Sequence, residues 1–291
     1  MRAAHTATRE MGRRLGPLFL RAVIYGLPAA VILAPLLSFI TFGFWSMSGG
    51  DVIRRFTLAN YGEILREPIY LPLFLSSIRL CLAVGLIGLL LGYVVAYVVW
   101  RLPERARYVV LLLTVAPLST SYIVKIYAMR GVLGHDGYLN RFLMWLGVIE
   151  EPSRLLIFNP TAVLITMAVI YLPYAILPIF ISLERIPSAL LFASADLGAR
   201  AGQTFANVVL PLSLPGAIVG AVFVMILALG DFLTPQMVGG NQGFTFGSVV
   251  WSQFGLAYNW PLGVALAVVL LSAALIMIAV SGAFSRLARV R

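Results

Sequence analysis

Six apolar windows, each long enough to cross a bilayer, constrain this chain more than any other feature of its sequence. A spanning helix needs about 20 mainly apolar residues to cover the hydrocarbon core. Lipid offers no partner for backbone N–H and C=O groups, so each window must satisfy them internally as a helix. The sequence therefore predicts an all-α integral membrane protein with six transmembrane helices, over 22–45, 75–99, 108–127, 161–183, 212–230 and 262–284.

Nearly all of the charge lies between these windows rather than within them. Charged residues make up only 11% of the 291-residue chain, hydrophobic residues make up 61%, and the mean hydropathy is +0.97. This distribution is typical of a protein whose partner is the lipid bilayer, so the net charge of +10 indicates topology. A nucleic-acid partner is disfavoured, because the basic residues do not cluster with aromatic ones on a solvated face.

The basic residues also predict the orientation of the chain. Thirteen arginines fall on the side of the termini and six on the other side, and the positive-inside rule then places both termini in the cytoplasm. The thirteen are Arg2, Arg9, Arg13, Arg14, Arg21, Arg101, Arg105, Arg107, Arg185, Arg200, Arg286, Arg289 and Arg291, and the six are Arg54, Arg55, Arg66, Arg130, Arg141 and Arg154. We expect a basic cytoplasmic N-terminus over 1–21, a transmembrane domain over 22–285 and a cytoplasmic tail over 286–291.

One polar, glycine-punctuated segment on the cytoplasmic side separates the fourth and fifth windows. Ser188 is a plausible helix N-cap, and Gly198 suits a left-handed turn between two short helices. Pro211 and Pro215 mark the entry to the fifth span. The sequence predicts a cytoplasmic helical hairpin over 188–211, or else an ordinary interfacial loop, and its apolar residues recur with helical period at Leu190, Ala193, Leu197, Ala201, Phe205 and Val208.

This segment resembles the cytoplasmic loop motif of ABC importer permeases, in which Glu-Ala-Ala is followed after three residues by Gly and later by aliphatic-x-Leu-Pro. Phe192 stands in place of the Glu and Ser194 in place of the second Ala. In the family this loop forms the coupling helices that dock into a groove of the ATPase subunit. The resemblance therefore implies an ATPase-coupling site here, made by Phe192, Ala193, Ser194, Asp196, Leu197, Gly198, Phe205, Leu210 and Pro211, with Val208 at the aliphatic position.

The likeness extends along the chain from the second span to the tail. The segments GHDGYLNRFLMWLGVIEEP, IYLPYAILPIFISLERIP, LALGDFLTPQMVGG and NWPLGVALAVVLL look like the permease subunits of spermidine/putrescine-type importers. The resemblance implies a type I permease of the bacterial inner membrane whose substrate is a polyamine or a similar amine. It also implies a second permease, two ATP-binding-cassette ATPase subunits that use ATP and Mg, and an extracytoplasmic solute-binding protein. No cofactor is expected in this chain.

Polar and aromatic residues near the membrane suggest a substrate pathway. Asp231 follows the fifth span, where its carboxylate could attract a cationic amine or could simply be satisfied by neighbouring backbone or by a partner's Arg. Lys125 is either a gate residue or an interfacial anchor, and Arg79 is expected to snorkel to the interface. Tyr171, Pro173 and Tyr174 interrupt the fourth span, where Pro173 either kinks the helix and shapes a pathway or simply packs. The full predicted pathway set is Lys125, Tyr127, Tyr171, Tyr174, Asp231, Phe232, Thr234 and Trp251.

Other function classes find less support. The chain has no GxxxxGK[ST] motif, so ATP hydrolysis must belong to another chain. Its only histidines are His5 and His135, which offers no metal or acid/base cluster for an enzyme. A secondary transporter working as an inverted-repeat dimer remains the alternative, although such carriers need ionisable coupling residues near the midplane. An ABC importer for a solute other than a polyamine is a further alternative.

The outer segment 131–160 carries a separate prediction. Its apolar residues Leu139, Phe142, Leu143 and Leu146 recur at helical spacing. We expect a short helix that lies on the membrane surface or over a cavity.

Overall fold

The structure, a computed structural model, describes residues 22–289 as a largely helical chain. The predicted N-terminal region 1–21 and the last two residues of the predicted tail lie outside the described residues. A π-helical turn over Ala22–Gly26 leads into the first of thirteen α-helices in this range. These are Leu27–Phe42 (α1), Ala59–Arg66 (α2), Tyr70–Arg101 (α3), Glu104–Val115 (α4), Tyr122–Leu133 (α5), Tyr138–Trp145 (α6), Pro160–Glu184 (α7), Ser188–Asp196 (α8), Ala201–Thr204 (α9), Leu210–Gly230 (α10), Leu233–Val238 (α11), Phe246–Gly255 (α12) and Trp260–Arg289 (α13).

Five of the predicted spans correspond to single long helices. By length and composition, α1, α3, α7, α10 and α13 are long and apolar enough to cross a membrane, α1 as part of the helical run Val23–Phe42 and α10 as part of the helical run Ala201–Gly230. The short helix predicted in the outer segment is also present, as α6.

The third predicted span, 108–127, is not one continuous helix, and this expectation was wrong. The segments Glu104–Ser119 and Tyr122–Trp145 are bent by 103° relative to each other. A 3₁₀ turn over Ala116–Ser119 contains Pro117, and Thr120 and Ser121 then adopt non-helical backbone conformations. Proline removes a backbone donor, and serine and threonine offer competing hydrogen bonds to the backbone, so this run ends one helix and begins another. Within residues 22–289 the candidate spans number six only if this bent pair counts as one.

A small β-hairpin is a second departure from the predicted all-α fold. Strand Ser46–Ser48 (β1) pairs antiparallel with Asp51–Ile53 (β2). Gly49 and Gly50 form the two-residue turn between the strands, which is a common hairpin connection.

Helices α3, α7 and α10 form the packed centre of the bundle. Small residues allow the backbones of α7 and α10 to approach closely, as in other membrane helix pairs. A Cβ atom on Gly216 would lie 2.5 Å from the Pro178 carbonyl oxygen, and one on Gly220 would lie 2.8 Å from the Ala175 carbonyl oxygen. Both glycines are therefore required by the packing of α10 against α7.

Helix α7 continues through both of its internal prolines, Pro173 and Pro178. The fourth span is therefore not broken at Pro173, which is buried within the bundle, and the kink expected there stays a prediction. Proline is tolerated within a membrane helix where neighbouring helices and side chains compensate for the missing backbone hydrogen bond, and α7 packs between α3 and α10.

Candidate functional site

The segment 188–211, here called the coupling segment, has the predicted left-handed turn between two helices. Gly198 has a φ of +79°, a conformation that favours glycine. The N–H groups of Gly198 and Ala199 donate to the carbonyl oxygens of Ala195 (2.9 Å) and Ser194 (3.1 Å), which closes the end of α8. Ser188 is not the N-cap as predicted, because Pro187 occupies that position and Ser188 begins the helix.

The first arm of the coupling segment exposes apolar side chains. Leu197 is 88% exposed and Phe192 is 68% exposed, and Ala193 and Asp196 are exposed beside them. The hydroxyls of Ser194 and Thr204 lie 2.8 Å apart and join the two arms. Large apolar side chains clustered on a surface are typical of sites that bind another protein.

The second arm is continuous with the fifth span rather than a separate helix. Helix α9 passes through a π-helical turn over Phe205–Val209 directly into α10, at whose start Leu210 and Pro211 are exposed. The Phe205 ring packs edge-on against Tyr97 of α3, with ring centres 5.3 Å apart. The coupling segment is therefore joined rigidly at its base to two membrane helices.

At the other end of α10, Asp231 lies in a buried group of polar side chains, here called the tyrosine–aspartate cluster (Tyr122, Tyr171, Asp231 and Thr234). Asp231 is 6% exposed. Its Oδ2 accepts hydrogen bonds from the hydroxyls of Tyr122 and Tyr171, the latter at 3.0 Å. Its Oδ1 accepts from the backbone N–H groups of Leu233 (3.0 Å) and Thr234 (3.1 Å).

The remaining contacts close this cluster. The hydroxyls of Tyr122 and Tyr171 lie 2.9 Å apart, and the Tyr122 hydroxyl lies 2.6 Å from Thr234 Oγ1. The two tyrosine rings are stacked with centres 6.2 Å apart. A buried carboxylate is costly unless its oxygens are hydrogen-bonded, and here both oxygens are. In this conformation Asp231 is satisfied by neighbouring backbone and hydroxyl groups.

The structure brings some of the predicted pathway residues together and leaves others apart. Lys125 Nζ lies 5.9 Å from the centre of the Tyr122 ring, and Tyr174 packs edge-on against Tyr171 at 6.3 Å. Phe232 and Trp251 form a separate stacked pair at 5.9 Å. Tyr127 is 57% exposed and contacts the Arg130 guanidinium instead.

Tyr122 is the central residue of the cluster and is absent from the predicted pathway set. Its hydroxyl contacts Tyr171, Asp231 and Thr234, which lie 49, 109 and 112 residues away in sequence. The only sequence signal was the unusually polar run STSY at the break in the third span. Within residues 22–289, no group of three or more His, Cys, Asp or Glu residues could hold a metal ion.

Comparisons with known proteins agree with this architecture. The family model described as "Binding-protein-dependent transport system inner membrane component" matches residues 88–289. The spermidine/putrescine transport system permease protein PotB of Escherichia coli (strain K12) is 36% identical over 248 residues, which cover 85% of this chain and 90% of that protein. The inner membrane ABC transporter permease protein YdcU of the same strain is 35% identical over 268 residues, covering 88% of this chain and 83% of that protein.

A solved structure shows the same fold at low sequence identity. It is a bacterial ABC transporter involved in the import of the acidic polysaccharide alginate, and it aligns with a TM-score of 0.78 at 13% identity over 96% of this chain and 98% of that chain. The relatives are transport permease subunits rather than enzymes, and they leave no support for the secondary-transporter alternative. The chain is thus a multi-pass inner-membrane protein that belongs to the family of binding-protein-dependent transport system inner membrane components, the type I permease subunits of ABC importers.

Proposed function

We propose that this chain and a second permease subunit form the pathway by which a polyamine, such as spermidine or putrescine, or a similar amine crosses the bacterial inner membrane. The observation that carries this proposal is the 36% identity to PotB, which extends over 85% of the chain. ATP hydrolysis belongs to two separate ATPase subunits, and an extracytoplasmic solute-binding protein delivers the solute. Both termini and the coupling segment face the cytoplasm.

The coupling segment is the docking site for one ATPase subunit. Its exposed Phe192 and Leu197 have little to contact within this chain, whereas Phe205 is fixed against α3. Movement of the ATPase subunits would therefore act on α3 and α10 together, and would switch the pathway from outward-facing to inward-facing. Since Phe192 replaces the acidic residue of the family motif, docking here relies more on apolar contact than on charge.

The tyrosine–aspartate cluster lines the solute pathway. A cationic amine competes with the hydroxyls of Tyr122 and Tyr171 for the Asp231 carboxylate when the bundle opens, and Phe232 and Trp251 add a stacked aromatic surface for cation–π contact. Asp231→Asn should then weaken uptake of cationic solutes specifically. An equal loss of uptake for cationic and neutral solutes would show that Asp231 has only a structural role.

A different small organic solute is the second candidate substrate. This candidate is favoured by the hydrogen bonds of Asp231, because a carboxylate that is already fully bonded offers little attraction to an amine.

One experiment tests the assembly and the solute together. The tagged chain is purified from membranes with its partners, and ATP hydrolysis is measured with a panel of amines, amino acids and other small solutes presented on the co-purifying binding protein. We expect an ATPase and a second permease to co-purify and a polyamine to stimulate turnover. Stimulation by a non-amine solute would select the second candidate, and purification of the chain alone would overturn the assembly.

A further inference from the structure

A groove lies around Phe158, at the end of the bundle opposite the coupling segment. Phe158 lies one residue before Asn159, the N-cap of α7, and the coupling segment follows the other end of this 25-residue helix. One cavity of about 520 Å³ is lined by Phe158 together with Arg130 and His135. A second cavity of about 540 Å³ is lined by Phe158 together with Asn241 and Gln242.

Phe158 is held in this position at a conformational cost. Its φ of +61° is uncommon for a residue with a bulky side chain, and such backbone strain often marks a functional position. Its N–H donates to the Val238 carbonyl oxygen at 2.8 Å, which ties it to α11. The residue nevertheless remains 53% exposed. The fold thus maintains a strained backbone while leaving the aromatic side chain accessible.

Arg130 provides an unpaired positive charge beside this ring. Its guanidinium carbon lies 5.9 Å from the centre of the Phe158 ring and 5.8 Å from the centre of the Tyr127 ring. No carboxylate within residues 22–289 forms an ion pair with Arg130, and nearby Asp136 pairs with His135 instead at 3.3 Å. A guanidinium fixed between aromatic rings presents donors with the geometry that a carboxylate accepts.

We propose that this groove receives a loop of the extracytoplasmic solute-binding protein, with an Asp or Glu side chain of that loop bound to Arg130 and a neighbouring apolar side chain packed on Phe158. This inference rests on the proposed function, which supplies the binding protein. The exposed amide side chains of Asn241 and Gln242 in the second cavity suit the backbone of a docked loop. A polyamine does not fit the groove, because Arg130 repels it.

The test uses the purified complex of both permeases and both ATPases in nanodiscs, with solute-loaded binding protein added in increasing concentration. Arg130→Glu should raise the concentration needed for half-maximal ATPase stimulation about tenfold or more, because it places like charges opposite each other at the contact. Basal ATP hydrolysis should stay unchanged. Arg141→Glu is the matched control, since Arg141 is exposed on α6 and contacts no aromatic ring, and its effect should be about twofold or less.

A second variant separates docking from folding. Glycine adopts a φ of +61° without strain, so Phe158→Gly relieves the backbone while it removes the ring. This variant should assemble normally and still require more binding protein for half-maximal stimulation. Each surface Asp or Glu of the binding protein is then replaced by Lys in turn. One of these substitutions should weaken docking to the wild-type complex and restore docking to the Arg130→Glu complex.

Four outcomes would overturn the proposal. Equal shifts with Arg130→Glu and Arg141→Glu would show only general surface electrostatics, and an Arg130→Glu defect that follows the anionic lipid content of the nanodisc would indicate a lipid headgroup. A wild-type response with Arg130→Glu would remove the groove as a docking site while leaving the proposed function intact. A wild-type complex that no binding protein stimulates would remove the proposed function itself.

Discussion

The two ends of helix α10 differ in which side chains they expose and which they bury. At one end, the coupling segment exposes large apolar side chains, with Leu197 88% accessible. At the other end, the tyrosine–aspartate cluster buries the Asp231 carboxylate to 6% exposure. Both arrangements run against the usual distribution of residue types between surface and interior. Under the proposed function another chain covers the exposed apolar face, whereas the buried charge has its partners inside this chain.

Helix α10 connects these two ends as a rigid element. Its 21 residues span about 30 Å at the usual helical rise. Gly216 and Gly220 hold it within close contact of α7 along its first half. A force on the coupling segment should therefore move α10 as a unit and act on the hydrogen bonds around Asp231 at its other end. The predictions below test whether the two ends are as different as their chemistry indicates.

The largest effect is expected from Gly198→Arg. The substitution forces a side chain into a left-handed conformation and adds a charge to an apolar docking face. A Cβ atom at this position meets no neighbour within 4 Å, so the chain itself should still fold and insert. Retention of the ATPase during purification should fall by about 100-fold or more, which corresponds to roughly 3 kcal/mol of docking free energy.

Gly202→Arg is the matched control for this substitution. Gly202 lies in the same segment, is equally open, and has no positive φ. It should retain far more of the ATPase than Gly198→Arg does. A Gly198→Arg complex with normal ATPase stoichiometry and transport would show that the coupling segment is not the docking site.

Asp231→Asn should destabilise the purified complex without affecting assembly. An amide can still accept from the backbone N–H groups through its oxygen, but its NH₂ group cannot accept from the two tyrosine hydroxyls. Losing hydrogen bonds to a buried charged group costs about 2 kcal/mol or more. The check is thermal inactivation of the detergent-solubilised complex, in which the midpoint should fall while ATPase retention stays at the wild-type value.

Two tyrosine variants supply the control for Asp231. Tyr171→Phe removes one donor to the carboxylate and should lower the midpoint of thermal inactivation by less than Asp231→Asn does. Tyr174→Phe should leave it unchanged, because the Tyr174 hydroxyl has no hydrogen bond to another group within residues 22–289. Equal effects of the two substitutions would contradict the role assigned to the cluster.

These two regions also differ in how far the sequence predicts them. The coupling segment could be anticipated because its signals are local: Gly198 at the turn, an apolar residue every third or fourth position, and prolines at the entry to the span. The merging of its second arm with α10 could not, since nothing in the residues 204–210 distinguishes a π-helical turn from a loop before the span.

The tyrosine–aspartate cluster is assembled by tertiary packing and is therefore harder to predict. The polar run before Lys125 and the position of Asp231 after a span were visible, but one sequence does not reveal that Tyr122 and Tyr171 meet the same carboxylate. The break in the third span has the same cause. The apolar window continues across Pro117, so hydropathy alone does not reveal the break. The 103° bend is explained by the preferences of Pro117, Thr120 and Ser121 for non-helical backbone.

Leu197→Ser tests the exposed apolar face with a moderate expected effect. Because Leu197 has few contacts within this chain, the substitution should change the stability of the permease by no more than about 0.5 kcal/mol. The midpoint of thermal inactivation should therefore stay close to the wild-type value. Binding of the ATPase should weaken by about 1–2 kcal/mol, measured by titrating purified ATPase onto the permease pair. Leu65→Ser is the matched control, since Leu65 is 85% exposed at the opposite end of the bundle and should leave ATPase binding unchanged.

The smallest effect is expected from Ser194→Ala, which removes the 2.8 Å contact between the Ser194 and Thr204 hydroxyls that joins the two arms of the coupling segment. A single partly exposed hydrogen bond contributes about 0.5–1 kcal/mol, so assembly and transport should stay near the wild-type level. The arms should nevertheless separate more often, which hydrogen exchange of the amides over 199–204 would detect as a several-fold loss of protection. Thr204→Ala should produce the same loss, and the double variant should add nothing further, because both substitutions remove one contact. Unchanged protection in both single variants would mean that Gly198 and the continuity with α10 hold the segment together without this bond, and additive losses would mean that the two hydroxyls act independently of their contact.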